Sequence, residues 1–373
     1  MMKRPDVRKP DTVFIGITLS LLIVGIIFFL SAALGIYAKT PGLFKSIVIN
    51  QFVFGIGGGF ILFIAGLKIP YLFWKKHAFV VFMFSLGLMV LVLIPFFSFE
   101  HGGARRWLSF GSISFQPAEI LKVTFIIYFA AWLAWMKNEV HSFKRVILPF
   151  LIILGIMATL LFLQPDTKSF ILMCVAGSIM LFISGAPIKH FVVVLSLASI
   201  GFFILVQTTP YIQKRIDTFL HPHSDVRGSS YQLQQAFIAF GSGGVFGTGI
   251  GQSVQKFGYL PESHGDSIFA IIGEETGFVG TTICIILYLA FALRGLRISY
   301  HAPDQFSRLF VIGFISLITF QAFLNIASLV GLFPLTGVPL VFMSHGGTSL
   351  AVTLFIVGII AQVSSYQHIT SKK

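Results

Sequence analysis

Cysteine and acidic residues are both scarce in this chain of 373 residues, which contains 2 cysteines and 13 aspartates and glutamates. Cys174 and Cys284 lie within apolar runs, a placement that indicates neither a disulfide framework nor a metal cluster. Charged residues make up only 10% of the chain. No internal repeat and no polar stretch long enough for a soluble domain is apparent.

Apolar residues are abundant instead: 56% of the chain is hydrophobic and the mean hydropathy is +0.91. These values are typical of a polytopic membrane protein. Apolar runs of about 18 or more residues predict spans, because a bilayer core of about 30 Å takes about 20 helical residues. We predict an all-α membrane domain over 1–373 with ten transmembrane helices. The spans are 13–37, 46–67, 78–98, 117–136, 146–164, 168–185, 189–208, 267–293, 308–330 and 347–367.

The distribution of lysine and arginine predicts the orientation of these spans. Most of the 26 basic residues fall on one side of the membrane if the N-terminus is cytoplasmic, and an even number of spans then places both termini there. The net charge of +13 reflects this topology and attraction to anionic lipid, so nucleic acid is not implied. The one long loop, 209–266, lies on the outer face between helices 7 and 8, and loops of that length are usually functional.

Unusual polar groups also map to the outer ends of the helices. They occur in loop 99–116, at the start of span four, in the turn 164–168, in the loop that ends at Asp266 and in 344–349. A transport site at the membrane midplane would instead place charges in paired, interrupted helices. The pattern favours chemistry at the outer leaflet.

Asp266 is the acidic residue that most needs an explanation, because it stands where the outer loop becomes an apolar helix. One interpretation is a helix N-cap, which aspartate fills well. The other is a general base in an enzyme whose substrate carries its own diphosphate leaving group, since cations can neutralise that group as it leaves. Spacing alone leaves both interpretations open.

Other polar residues also have a structural alternative. Glu119 and Lys122 are three residues apart on a helix and predict an ion pair, which could also shape a polar pocket. Arg105, Arg106 and Trp107 suit an interfacial anchor or a phosphate ligand. Asp166 is expected to cap span six, with Thr167 beside it.

Two segments of the large loop have predicted structures of their own. The glycine-rich stretch 241–253 lacks the ending of a nucleotide-binding loop. Its glycines are expected to let the backbone re-enter the membrane or pack closely while lining a cavity. Residues 231–240 predict a short amphipathic helix at the membrane interface.

Several motifs together resemble the SEDS family, the shape, elongation, division and sporulation proteins. They are Gly103-Ala-Arg-Arg-Trp-Leu108, Phe115-Gln-Pro-Ala-Glu-Ile-Leu-Lys122, Gln164-Pro-Asp166, Tyr231-Gln232, Gly241-Ser-Gly-Gly244, Gln255-Lys256, Leu260-Pro-Glu-Ser-His-Gly-Asp266, Gly331 to Leu340, and Ser344-His-Gly-Gly-Thr-Ser349. The first motif, the run from Arg215 through Pro222, Asp225 and Gly228 to Gln232, and 251–256 are more similar to division-type than to elongation-type members. His345, Thr348, Thr167, Lys168, Gly265 and Ser267 depart from the usual family pattern.

The resemblance implies an inverting peptidoglycan glycosyltransferase that polymerises lipid II at the outer face of the bacterial cytoplasmic membrane. It implies a class B penicillin-binding protein transpeptidase and other divisome membrane proteins as partners. It also implies a divalent cation, magnesium or manganese, and no nucleotide. Asp266 is then the catalytic residue. The expected substrate-binding residues are Arg105, Arg106, Trp107, Glu119, Lys122, Lys168, Gln232, Ser344 and His345. The alternatives are a lipid II flippase, an elongation-type polymerase and a non-enzymatic divisome scaffold.

Overall fold

The computed structural model describes residues 9–101, 104–110, 113–221 and 230–366. Its helices are α1 Thr12–Lys39, α2 Pro41–Lys68, α3 Tyr71–Val92, α4 Pro117–Trp135, α5 Phe143–Leu163, α6 Thr167–Ile183, α7 Ile188–Thr208, α8 Pro210–Leu220, α9 Tyr231–Gly243, α10 Ile268–Tyr300, α11 Gln305–Leu329 and α12 Gly347–Ser365. The strands are β1 Ser98–His101, β2 Ala104–Phe110 and β3 Ile113–Phe115.

Within the described part of the chain, 9 helices are long and apolar enough to cross a membrane. The prediction of a largely helical, multi-pass membrane protein is therefore confirmed. The predicted sixth span corresponds to α6, an apolar helix of 17 residues, which is close to the shortest helix that spans a bilayer. The count of ten spans stays a prediction.

Some predicted residues lie outside the described ranges. They are Gly103 of the first motif, Pro222, Asp225 and Gly228 of the large loop, and the terminal basic residues Lys3, Arg4, Arg8, Lys372 and Lys373.

Helix α3 begins earlier than the apolar pattern predicts. The predicted span starts at 78, whereas the helix starts at Tyr71, directly after Pro70, whose extended backbone precedes the first turn. Lys75 and Lys76 lie within this first part of the helix. Because charged residues lower local hydropathy without breaking a helix, the apolar pattern missed these two turns.

A small antiparallel sheet with the order β1-β2-β3 occupies the predicted loop 99–116. Leu108 pairs with Ser98 of β1 on one side and with Phe115 of β3 on the other. These strands are too short to show a clear alternation of polar and apolar residues, so the sequence pattern predicts no strand here.

The most buried helices lie at the centre of the bundle. Helices α11 and α12 are each 78% buried within their most apolar stretch and α4 is 61% buried, whereas α7 is only 6% buried. Helix α12 packs closely along α2, where a side chain on Gly66 would meet the Phe355 carbonyl at 2.5 Å. Small residues allow such close approach of membrane helices.

The outer region 209–266 is partly helical rather than one long structureless loop. Helix α8 follows α7 directly, and α9 packs on α10 with Leu233, Ala236 and Ala239 buried. The predicted short helix at 231–240 is therefore confirmed as a helix, and its location at the membrane interface stays a prediction.

Helix α10 is interrupted at Gly277, where φ is 65° and ψ is −162°, although the sequence predicts one continuous span. The glycine-rich stretch provides the missing backbone partners: Thr248 N–H donates to the Glu274 carbonyl at 2.9 Å, and Phe278 N–H donates to Gly244 at 2.9 Å. A side chain on Gly277 would lie 2.5 Å from the Val245 carbonyl. The predicted close packing of these glycines is confirmed.

Candidate functional site

Asp266 lies in the turn just before α10. Ser267 occupies the N-cap position and no side chain caps the helix, so the interpretation of Asp266 as a cap is wrong. Its carboxylate instead accepts hydrogen bonds from Gln232 Nε2 at 3.2 Å and, more weakly, from Ser267 Oγ at 3.5 Å. Asn325 of α11 holds the Asp266 backbone carbonyl at 2.6 Å. The carboxylate is thus oriented by α9 while its backbone is fixed by α11.

The surroundings of Asp266 tune its protonation. Burial, followed by the negative charge of Glu262, raises the pKa of Asp266 to about 6, whereas Lys168, Arg215 and the Gln232 hydrogen bond oppose that rise. A pKa slightly below neutral suits a general base, because the group is mostly ionised at pH 7 yet still accepts a proton readily.

Three cationic side chains from separate elements lie close together here: Lys168 and Arg215 act on the Asp266 carboxylate, and Arg106 acts on both of these cations. Lys168, at the start of α6, donates to the carbonyl of Gly337, and Arg215 of α8 donates to the carbonyl of Leu335. Arg106 of β2 donates to the carbonyls of Gln164, at 2.9 Å, and Pro165. The predicted convergence of outer segments is therefore present for β2, the start of α6 and the region before α10.

Arg215 belongs to this site, although the sequence analysis did not include it among the substrate-binding residues. It acts electrostatically on Asp266, and its guanidinium stacks over Tyr211 with 4.5 Å between the guanidinium carbon and the ring centroid. Its presence in the family motif of the large loop was the available signal.

Glu119 and Lys122 form the predicted ion pair on α4, with 2.7 Å between Lys122 Nζ and Glu119 Oε1. Both side chains are largely buried, at 12% and 5% exposure. They line a small interior cavity together with Gln321 of α11 and with Ser349 and Thr353 of α12. The charge of Glu119 acts on Lys168, so the ion pair lies close to the cationic cluster.

Ser344 and His345 support the Asp266 segment from the other side. The backbone N–H of His345 donates to the His264 carbonyl at 2.8 Å, and the two imidazoles lie 5.6 Å apart. Ser344 Oγ accepts from Leu340 N–H at 2.8 Å. Burial, with the neighbouring His264, lowers the pKa of His345 to about 4, so this imidazole is neutral at pH 7.

Arg105 and Trp107 are placed differently from Arg106. The register between β1 and β2 shifts at this point: Phe99 pairs with Trp107 and Glu100 pairs with Arg105, so Arg106 is an extra, bulged residue between them. Arg105 is exposed and Trp107 is half-buried. Their predicted roles in substrate binding stay predictions.

The remaining acidic residues near the site have structural roles. Asp166 caps α6, as predicted, by accepting from Ser169 N–H at 3.3 Å and Ser169 Oγ at 2.7 Å. Glu275 pairs with Lys256 at 3.0 Å, and Glu274 accepts from Val254 N–H at 3.0 Å. Asp266, in contrast, acts on both Lys168 and Arg215.

A family model comprising FtsW, RodA and SpoVE, described as cell cycle proteins, matches residues 11–369. Stage V sporulation protein E of Bacillus subtilis (strain 168) is 38% identical over 362 residues, which cover 96% of this chain and 98% of that protein. A probable peptidoglycan glycosyltransferase FtsW of Geobacter sulfurreducens is 35% identical over 307 residues, 82% of each chain.

Solved structures show the same fold. A chain of a peptidoglycan synthase complex matches with a TM-score of 0.77 at 25% identity, over 95% of this chain and 97% of that chain. The rod shape determining protein RodA of Thermus thermophilus matches with a TM-score of 0.69 at 25% identity, over 95% of this chain and 96% of that chain.

Proposed function

We propose, from the premise that this chain belongs to the FtsW, RodA and SpoVE family of cell cycle proteins, that it is a peptidoglycan glycosyltransferase which polymerises lipid II. The observation that carries the proposal is Asp266, a carboxylate with a pKa of about 6 on which the cations Lys168 and Arg215 act, with Arg106 close to both of them. One base and several cations are what glycosyl transfer from a lipid diphosphate requires.

In the proposed reaction, Asp266 removes the proton from the 4-hydroxyl of the acceptor sugar. The hydroxyl oxygen attacks the anomeric carbon of the donor, a new glycosidic bond forms with inversion, and the bond from that carbon to the diphosphate oxygen breaks. The lipid diphosphate leaves with both electrons of that bond. Arg106 and Arg215 have further N–H donors for its oxygens.

A divalent cation stays a prediction for this site. Among the described residues, no group of three or more histidine, cysteine, aspartate or glutamate side chains could hold a metal ion. An ion here would therefore need phosphate oxygens of the substrate as ligands, as magnesium sites often do. The protein groups carry the proposed reaction without a step assigned to the ion, and no nucleotide is required because the substrate is already activated.

The site is proposed to face outward from the bacterial cytoplasmic membrane, with both termini cytoplasmic, as the distribution of basic residues predicts. The proposed partner is a class B penicillin-binding protein transpeptidase, alongside other divisome proteins. The similarity to a chain of a complex that coordinates polymerization and crosslinking supports the transpeptidase. The FtsW relatives favour a role in division, and the sporulation and rod-shape relatives keep those processes as alternatives.

Lipid II flipping is the alternative function. The interruption of α10 at Gly277 resembles the broken helices of transporters, but its backbone groups are bonded to the glycine-rich stretch. Glu275 is paired with Lys256, and Glu274 accepts hydrogen bonds from Ser253 and Val254. These groups are therefore already bonded within the protein rather than arranged to bind a substrate. The polymerase interpretation therefore accounts better for the cationic cluster at the helix ends.

The deciding experiment reconstitutes the purified chain with its transpeptidase partner in vesicles that contain lipid II. The proposal expects glycan strands on gels after crosslinking is blocked. Translocation of labelled lipid II without any polymer would contradict the polymerase and support the flippase. If the chain shows neither activity, and cell division depends on its partner-binding surface but not on Asp266, the scaffold alternative would be supported.

The rate of polymerisation should fall as pH decreases through about 6. Asp266 acts as a base only when ionised, and protonation below its pKa of about 6 removes the base. The measurement is kcat against pH between 5 and 8. In Glu262→Gln the acidic limb should move to lower pH, because the charge that raises the pKa of Asp266 is gone. If the parent protein polymerised lipid II as fast at pH 5 as at pH 7, the assignment of Asp266 as the base would be contradicted.

Arg215→Met should lower kcat/KM for lipid II by about 10–100-fold, because a charge-assisted hydrogen bond contributes about 1.5–3 kcal/mol. The neighbouring Lys214 is exposed, so Lys214→Met is the matched control and should change kcat/KM by less than about twofold. Equal effects of the two substitutions would indicate a general loss of outer-face charge rather than a contact by Arg215.

A further inference from the structure

Lys168 makes a contact that a simple phosphate ligand would not need. Its side chain lies at the start of α6 and donates a hydrogen bond to the backbone carbonyl of Gly337, in the segment that joins α11 to α12. An ammonium group has three donors, and at least one is already committed within the protein. Lys168 is therefore bonded to the segment that contains Gly337.

That segment, residues 335–338, lies directly against Asp266. Gly337 has a positive φ of 65°, and a side chain there would lie 3.3 Å from both Asp266 Oδ2 and Arg215 Nη2. The segment is also held by Arg215, which donates to Leu335, and by Asn325, which donates to Val338 at 2.7 Å. Asn325 donates to the Asp266 carbonyl as well, so the backbone of the base and this segment share one anchor.

We infer that Lys168 is a positioning residue: by holding Gly337 against Asp266 it fixes the orientation of the catalytic carboxylate and places a positive charge beside it. The inference rests on the proposed function, because it assigns Lys168 a role in the action of Asp266. It differs from the predicted phosphate contact, because the lysine acts through the base rather than on the leaving group.

The charges around both groups are consistent with this role. Burial and the charge of Glu262 raise the pKa of Asp266, whereas Lys168, Arg215 and the hydrogen bond from Gln232 lower it. Burial has the largest effect on Lys168, and the charges near it are the carboxylates of Asp166, Asp266 and Glu119 and the guanidinium group of Arg106. Of the two cations that act on Asp266, Lys168 has the larger effect, so its removal should be visible in the ionisation of the base.

The test compares Lys168→Met with Lys168→Gln, in the full chain reconstituted with its transpeptidase partner and lipid II. Methionine removes both the charge and the hydrogen bond to Gly337, whereas glutamine retains a donor without the charge. Lys45 is exposed, and Lys45→Met is the matched control. The measurements are kcat and KM from pH 5 to 8, and the titration of the Asp266 carboxylate by infrared difference against Asp266→Asn.

For Lys168→Met we expect the acidic limb of kcat and the infrared titration to move up by about one pH unit. This shift lowers kcat at pH 6 by about fivefold, whereas KM changes by less than about twofold. Lys168→Gln should show the same shift in pH with a smaller loss of the maximal kcat, because segment 335–338 is still held. Lys45→Met should match the parent protein.

A rise in KM for lipid II of tenfold or more, with an unmoved acidic limb, would overturn the inference in favour of a phosphate contact. If Lys168→Met does not fold, Lys168→Gln decides by the same criterion. Failure of the proposed function is distinct, because the parent protein would then form no glycan at any pH, and the infrared titration would still report whether Lys168 acts on Asp266.

Discussion

Asp266→Asn is expected to lower lipid II polymerisation by about 10²–10⁴-fold, the usual contribution of a general base. Asparagine has nearly the same shape and can still receive a hydrogen bond from Gln232, so the site should keep its geometry. It cannot take the proton of the acceptor hydroxyl. The measurement is the rate of glycan formation in vesicles with the transpeptidase partner, together with a thermal unfolding curve to show that the variant is folded.

Glu262→Gln is the matched control for this substitution. Glu262 is an exposed carboxylate four residues before Asp266, and it acts on Asp266 through its charge. This variant should polymerise lipid II at pH 7 at close to the parent rate. Undiminished glycan formation by a folded Asp266→Asn, or an equal loss in both variants, would contradict the role of Asp266 as the base.

The convergence of outer segments could be predicted from the sequence because several polar residues lie in loops or helix ends on one side of the membrane. Counting spans placed Asp266, Lys168 and Arg106 on one side, and the structure brings their segments together. Arg215 was missed, because nothing in its local pattern shows that α8 reaches back to Leu335. The bulge that places Arg106 between the paired residues Arg105 and Trp107 could not be predicted either, because it depends on a strand that had not been recognised.

The membrane-spanning helices could be predicted from hydropathy. Helix starts and interruptions that depend on backbone conformation or on backbone hydrogen bonds could not. Helix α3 extends through Lys75 and Lys76 because Pro70, not hydropathy, sets its start. The interruption of α10 depends on residues 244–249, which lie far away in sequence and bond to the carbonyls of Glu274 and Glu275. A single-chain hydropathy pattern contains no information about such pairing.

Lys256→Met is expected to destabilise the protein by about 3–5 kcal/mol, because it leaves the buried Glu275 without its partner. The side chains of Lys256 and Glu275 are both 0% exposed, and their charged atoms are 3.0 Å apart. Lys256 Nζ also donates to Ser31 Oγ of α1 at 2.9 Å and to the Gly251 carbonyl at 2.7 Å. One ammonium group therefore joins α1, the glycine-rich stretch and the interrupted helix.

The control for this prediction is Arg145→Gln, which removes the pair with Glu139, where the two side chains are 65% and 38% exposed. An exposed pair contributes about 0–1 kcal/mol. Unfolding in detergent is followed for Lys256→Met, for Glu275→Gln and for the variant that carries both changes. The difference between the double and the two single changes is the free energy of coupling between the buried partners. The double variant should be more stable than the sum of the single changes implies, since no unpaired charge remains.

The pair also connects stability to catalysis, because the half of α10 before Gly277 begins beside Asp266 and ends at Glu275. Loosening its end should reduce polymerisation in Lys256→Met even at temperatures where the protein stays folded. A loss of less than about 1 kcal/mol in Lys256→Met, equal to that of Arg145→Gln, would contradict the view that this ion pair holds the interrupted helix in place.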